Sequence, residues 1–146
     1  MKVSEYLSRE EVAYFTAKSN LRAWAMFLGN WFLIAAIFAV AAAYPKPIVL
    51  FASIILLAGR QMGLAVLMHD CGHGTFFNSK TLNEVVGQWF CALPIMNDQP
   101  SYARGHLEHH RKAGTREDPD LPNYQAYPVS RESFRRKVIR DLTGQT

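Results

Sequence analysis

Residues 23–44, AWAMFLGNWFLIAAIFAVAAAY, carry no charged side chain over 22 positions. As a helix this run extends ~33 Å against a hydrocarbon thickness of about 30 Å, and a helix satisfies its own backbone polar groups in lipid. A cleaved leader fits poorly, because the apolar stretch starts late, is too long, and follows a mixed-charge segment. Two prolines in YPKP, residues 44–47, then block continuation and predict a tight turn. The next run, IVLFASIILLAG, is apolar until Arg60. An arginine at the centre of a membrane helix costs about 2.5–3.5 kcal/mol on insertion scales. The return helix is therefore expected to reach the headgroups near Arg60, whose side chain snorkels. It then continues into water through QMGLAVLM, towards His69.

The fold class that follows is all-α: an integral membrane helical hairpin followed by a helical region outside the bilayer. We read residues 1–146 as one partial domain, with a cytoplasmic N-terminal helix to residue 20. The hairpin occupies 23–44 and 47–68, with a cytoplasmic extension, and residues 69–146 form a cytoplasmic histidine-rich region. The N-terminal helix is expected over residues 4–20, capped by Ser8 with Glu11 completing a capping box. Residues 82–96 are apolar enough for the membrane surface but too short to span. Residues 116–128 read as a proline-rich polar loop. Residues 130–142 form an amphipathic helix with Phe134, Val138, Ile139 and Leu142 on one face.

The formal charge is +4. Lysine and arginine flank apolar runs, a pattern that suits an anionic membrane surface and not nucleic acid. Lys2, Arg9, Lys18 and Arg22 precede the hairpin, and Arg60, Lys80, Arg104, Arg111 and Lys112 follow or end it. The turn between its helices has only Lys46. Positive-inside logic places the N terminus and everything after the hairpin in the cytoplasm. The two cysteines, Cys71 and Cys91, make no disulfide framework and read as buried free thiols.

All five histidines fall in two short stretches, HDCGH at 69–73 and HLEHH at 106–110. His69 and His73 are four apart, so a helix puts them on one face where they converge on one ion. His106 and His110 repeat that spacing, with His109 three from His106. Three imidazoles on one helical stripe bind one metal and offer a ligand to a second. A lone histidine is usually an ordinary core or surface residue, but five of five in HxxxH and HxxHH patterns point to metal ligation. The metalloprotease pattern needs a glutamate directly after its first histidine, and Asp70 stands there instead. Imidazole alone suits zinc, copper, nickel or iron, so the ligand type leaves the metal open. Asp70, Glu108, Asp118 and Asp120 are candidates for orienting imidazole N–H groups. A solvated role is the stronger expectation for Asp118 and Asp120.

HDCGH and HLEHH, preceded by a membrane hairpin and followed by GTREDPDL, resemble the membrane-bound fatty acid desaturase superfamily from about Arg60 onward. That superfamily includes acyl desaturases and related carotenoid and alkane hydroxylases. The resemblance implies a non-haem di-iron centre held by three histidine boxes on the cytoplasmic side. It also implies O₂ as oxidant and electrons from a ferredoxin- or cytochrome-type donor. His69 and His73 match the first box, and His106, His109 and His110 the second. The third box and the second pair of membrane helices have no counterpart in these 146 residues, so the reading is of an N-terminal part, inactive alone, with incomplete ligation of the second iron. The expected substrate is an acyl chain or other lipid. A membrane metal-binding protein without oxygen chemistry is the non-enzyme alternative. Bis-histidine haem is weaker, since ligands four apart on one helix cannot reach opposite faces of one haem.

Overall fold

The computed structural model describes residues 5–145, and among them every regular element is helical. Helix α1 spans Arg9–Phe15. The Ser8 hydroxyl accepts from the Glu11 amide at 3.2 Å, and the Glu11 carboxylate accepts from the Ser8 amide at 2.8 Å, completing the expected capping box. The helix is shorter than the expected 4–20, and residue 4 lies outside the described residues. The reason is a second cap. Ser19 takes extended backbone, and its hydroxyl accepts from the Arg22 amide, so a new helix starts at Asn20.

That helix, α2, spans Asn20–Ala43, and α3 spans Pro47–Gly72. Both are long and apolar enough to cross a membrane. Pro47 sits in the first turn of α3, where a missing N–H costs nothing. Phe32, Phe38, Ile48, Phe51 and Ile54 are all more than half exposed, a surface that water would penalise and lipid accepts.

Arg60 was expected at the headgroups, and the structure shows it bonded across the hairpin. Its guanidinium donates to the Asn30 side-chain oxygen at 3.3 Å, and the Asn30 amide donates to the Arg60 carbonyl at 3.5 Å. Asn30 lies 13 residues before the end of α2 and Arg60 13 residues after the start of α3, so both stand ~20 Å from the turn. Gly63 makes room, since a Cβ there would fall 2.6 Å from the Asn30 oxygen.

The packed core lies at one end of this hairpin. Ala23 and Phe27 of α2 meet Leu67, Met68 and Cys71 of α3, with Phe76, Phe77, Val86, Cys91 and Ala92 closing over them. The last three come from a helical stretch that changes pitch. Helix α4, Lys80–Val85, runs into a π-helical segment, Val86–Ala92, and a 3₁₀ turn, Leu93–Ile95. This is the apolar stretch expected at the membrane surface: Cys91 and Ala92 are fully buried, while Trp89 and Met96 are exposed. Buried Asn83 braces the preceding loop by accepting from the Phe77 amide and donating to the Phe77 carbonyl, both at 2.9 Å.

Helix α5 spans Gln99–Lys112. The described residues form two compact units, divided after Arg104, so α5 begins in the first and ends in the second. The second unit continues through a turn at Gly114, with φ +81°, to the one-turn helix α6, Leu121–Tyr124, and to α7, Arg131–Leu142. The expected polar loop therefore contains a helical turn. The expected amphipathic helix is present, capped by Ser130, with Phe134, Val138, Ile139 and Leu142 exposed.

Candidate metal centre

Helix α3 carries the first two histidines past the core, with His69 in its last turn and His73 as its C-cap residue. Their spacing does what a helix requires. The two Nε2 atoms face each other at 3.2 Å, with ring centroids 4.5 Å apart. His69 Nδ1 lies 2.9 Å from Asp70 Oδ1. An ionised carboxylate only accepts, so neutral His69 donates Nδ1–H and keeps a lone pair on Nε2. The ring of Tyr102, from the first turns of α5, packs 6.4 Å from that of His69.

In the second unit, His106 and His110 form a similar pair on α5, with Nε2 atoms 3.0 Å apart and centroids 4.5 Å apart. His109 lies beside this pair, its ring centroid 5.7 Å from that of His110. Its centroid is 6.1 Å from that of His106, and its Nδ1 lies 2.7 Å from Asp118 Oδ1.

Asp118 departs most from the sequence reading. It was expected in solvent, and its side chain is fully buried. The His109 ring, the Asp120 amide at 2.9 Å and the Tyr124 hydroxyl all donate to its carboxylate. Burial pushes the Asp118 pKa up, but the hydrogen bonds from Tyr124, His109 and the Asp120 amide outweigh it and hold the carboxyl at about 2. His109 is in turn raised above the usual imidazole value, chiefly by its hydrogen bond to Asp118, with Asp118 and Asp120 charge adding and desolvation opposing. Asp120 stays nearer solvent, its Oδ2 3.6 Å from His109 Nδ1. Glu108 pairs with Lys112 at 2.8 Å and Arg111 at 3.1 Å. Tyr124 escaped the sequence reading altogether, and its signal was slight: a tyrosine six residues beyond Asp118 in a proline-containing turn.

The donor chemistry fits a transition-metal ion. Metal–imidazole bonds of about 2.0–2.1 Å put two ligand nitrogens roughly 3.0 Å apart at a right angle and roughly 3.4 Å apart at a tetrahedral angle. Each of the two Nε2 pairs has a separation of that size. Cys71 and Cys91 are buried free thiols, as expected, and burial pushes the Cys91 thiol up to about 12. Beside His73 the first unit has an open cleft of about 640 Å³, bounded by Cys71, Asn83, Trp89, Gln99 and Ala103 among others. Its volume lies within the roughly 300–1,000 Å³ of small-molecule sites.

Comparison with known proteins agrees with this chemistry. Residues 45–146 match the family described as fatty acid desaturase. An sn-1 acyl-lipid omega-3 desaturase (ferredoxin) from Synechocystis sp. is 35% identical over 71 residues, covering 49% of this chain and 18% of that protein. A Delta(12) fatty acid desaturase from Mortierella isabellina is 40% identical over 52 residues, 36% of this chain and 13% of its own length. An sn-1 acyl-lipid omega-3 desaturase (ferredoxin) from Nostoc sp. is 27% identical over 121 residues, 82% of this chain and 32% of the relative. The chain thus spans less than a third of the length of these relatives. No solved structure matches.

Proposed function

The chain belongs to the fatty acid desaturase family, and from that premise we propose that it forms the histidine-rich N-terminal part of a membrane acyl-lipid desaturase. His69, His73, His106, His109 and His110 are the proposed ligands of a non-haem di-iron centre. The observation that carries the reading is the pair of HxxxH motifs, each with its Nε2 atoms at ligand spacing, within a matched desaturase sequence.

Bound iron would activate O₂, the oxidant. In the net reaction two adjacent methylenes lose one hydrogen each, and O₂ takes these with two donor electrons and two protons to leave as two waters. A ferredoxin-type donor is proposed because the Synechocystis and Nostoc relatives carry ferredoxin in their names. This chain's own residues do the holding. Asp70 and Asp118 accept Nδ1–H from His69 and His109, which leaves the Nε2 lone pairs for the metal. The cleft beside His73 is the proposed berth for the reacting part of an acyl chain, with Trp89 and the start of α5 along its walls. We further propose that the N terminus and both histidine boxes face the cytoplasm, a reading supported by the lysine and arginine distribution.

The test is expression of the gene that carries this segment in a host lacking desaturases, with total acyl chains analysed by gas chromatography and mass spectrometry. New double bonds are expected from the wild type, and a loss of at least about 100-fold from His69→Ala or His110→Ala, since a lost ligand removes more than a lost outer partner. An iron-loaded wild-type product that forms no double bond in any supplied acyl lipid would overturn the reading.

A further inference from the structure

Buried Asp118 sits between a histidine and a tyrosine that come from different elements of the second unit. His109 belongs to α5, and Tyr124 ends α6, one turn long and 15 residues from His109 in sequence. The chain gets there by turning at Gly114, whose φ of +81° favours glycine. Two backbone bonds then wind it into α6, from the Leu121 amide to the Asp118 carbonyl at 3.1 Å and from the Asn123 amide to the Asp120 carbonyl at 2.9 Å. This local winding brings the Tyr124 hydroxyl onto Asp118 Oδ2.

The oxygens of Asp118 have divided duties. Oδ1 accepts from both His109 Nδ1 and the Asp120 amide, whereas Oδ2 accepts from the Tyr124 hydroxyl. A carboxylate turns about one soft torsion, and a buried oxygen left without a donor drives it to turn. If Oδ2 lost Tyr124, the group would rotate to find another donor and carry Oδ1 off the axis of His109 Nδ1–H.

We propose that Tyr124 is a positioning residue for His109: through the Asp118 carboxylate its phenol fixes the ring orientation and the Nδ1–H tautomer, and so the lone pair that Nε2 offers a metal. The proposal deepens the metal-centre reading and rests on it only for the last step. Tyr124 acts here only through Asp118, whose Oδ2 accepts from its hydroxyl. The residue is 39% exposed and outside the buried core, so its role lies in the hydroxyl and not in core packing.

The experiment uses the whole chain in lipid vesicles, with ¹⁵N-labelled histidine. Long-range ¹H–¹⁵N spectra of the metal-free protein read the tautomer of His109, assigned with His109→Gln. Titration with cobalt(II) reads affinity through its ligand-field absorption. Outer partners of metal-bound histidines are typically worth 10–100-fold in affinity, and Tyr124→Phe is expected near the lower end, about tenfold, with the Nδ1–H form losing its dominance. Site-specific 3-fluorotyrosine at 124, a stronger donor of similar shape, should shift the His109 nitrogen signals while the helix content stays constant. Tyr127→Phe, three residues on, should change neither readout.

A Tyr124→Phe protein whose His109 spectrum and cobalt affinity stay within twofold of wild type would overturn the proposal. An equal effect from Tyr127→Phe would do the same. Should Tyr124→Phe not fold, the fluorotyrosine arm decides, because a merely structural tyrosine would leave the His109 signals unmoved. If wild type binds no cobalt, or His109→Ala binds it equally well, the metal reading fails while the tautomer spectra still judge Tyr124.

Discussion

At the scale of single residues, the site is a set of imidazoles whose carboxylate neighbours decide what each ring can do. Asp118 stabilises the protonated form of His109, so His109 in the metal-free protein is expected to titrate above the usual imidazole value. A raised folded-state value stabilises the fold fully below about pH 6.5, and that contribution is lost as pH rises through the folded value of His109. An NMR titration checks the sign: Asp118→Asn should move His109 downward, and an unmoved or raised value would contradict the pairing. Asp120→Ala removes a side chain 3.6 Å from the ring but leaves the backbone amide that serves Asp118. Its effect on cobalt affinity should therefore be under about threefold, well short of the 10–100-fold seen for outer partners of metal-bound histidines. The histidine spacing made the Nε2 pairs legible in sequence, because four residues is a helical property. The burial of Asp118 was not legible, because it depends on a turn at Gly114 that folds residue 118 back under residue 109.

At the scale of elements, the hairpin was readable from 22 uncharged positions and two prolines, and its ends moved by at most four residues. Two features were hidden. Ser8 was expected as a cap, but Ser19 caps a second helix, and no break in hydrophobic pattern announces where one helix ends and the next begins. The Asn30–Arg60 clasp depends on two residues standing at equal depth on different helices, which only the turn position fixes. That clasp gives a prediction. Gly63→Ala places a Cβ 2.6 Å from the Asn30 oxygen and should cost about 1–3 kcal/mol, as overpacking does. Asn30→Ala in the same chain should recover most of that loss, read as the unfolding midpoint in detergent. Equal losses with and without Asn30 would contradict the clasp. In the π-helical segment, a Cβ on Gly87 would meet Gln99 at 2.6 Å and Cys71 at 2.7 Å, whereas one on Gly105 meets nothing within 4 Å. Gly87→Ala should therefore destabilise, and Gly105→Ala should be neutral or stabilise by up to about 1 kcal/mol.

At the scale of the whole molecule, membership of the desaturase family and the two long apolar helices make this a membrane protein, and its charges are the ground for the proposed orientation. A reporter fused after residue 146 should report cytoplasm, and one inserted after Lys46 the opposite side; the reverse pattern would undo the topology. The 146 residues by themselves hold five imidazoles, fewer than three for each of two irons. Alone they are expected to bind iron weakly, below two per chain, with binding falling as pH drops and the ligands take protons. Metal analysis after gel filtration at several pH values checks this.

The central claim is that both histidine boxes hold iron. Its most direct measurement is iron K-edge X-ray absorption on the whole gene product in vesicles, wild type against His69→Ala and His110→Ala. The account predicts a nitrogen and oxygen shell near 2.0–2.2 Å with the outer scattering of imidazole rings, and a lower imidazole count in each variant. Bound iron whose imidazole count is the same in wild type and both variants would contradict it.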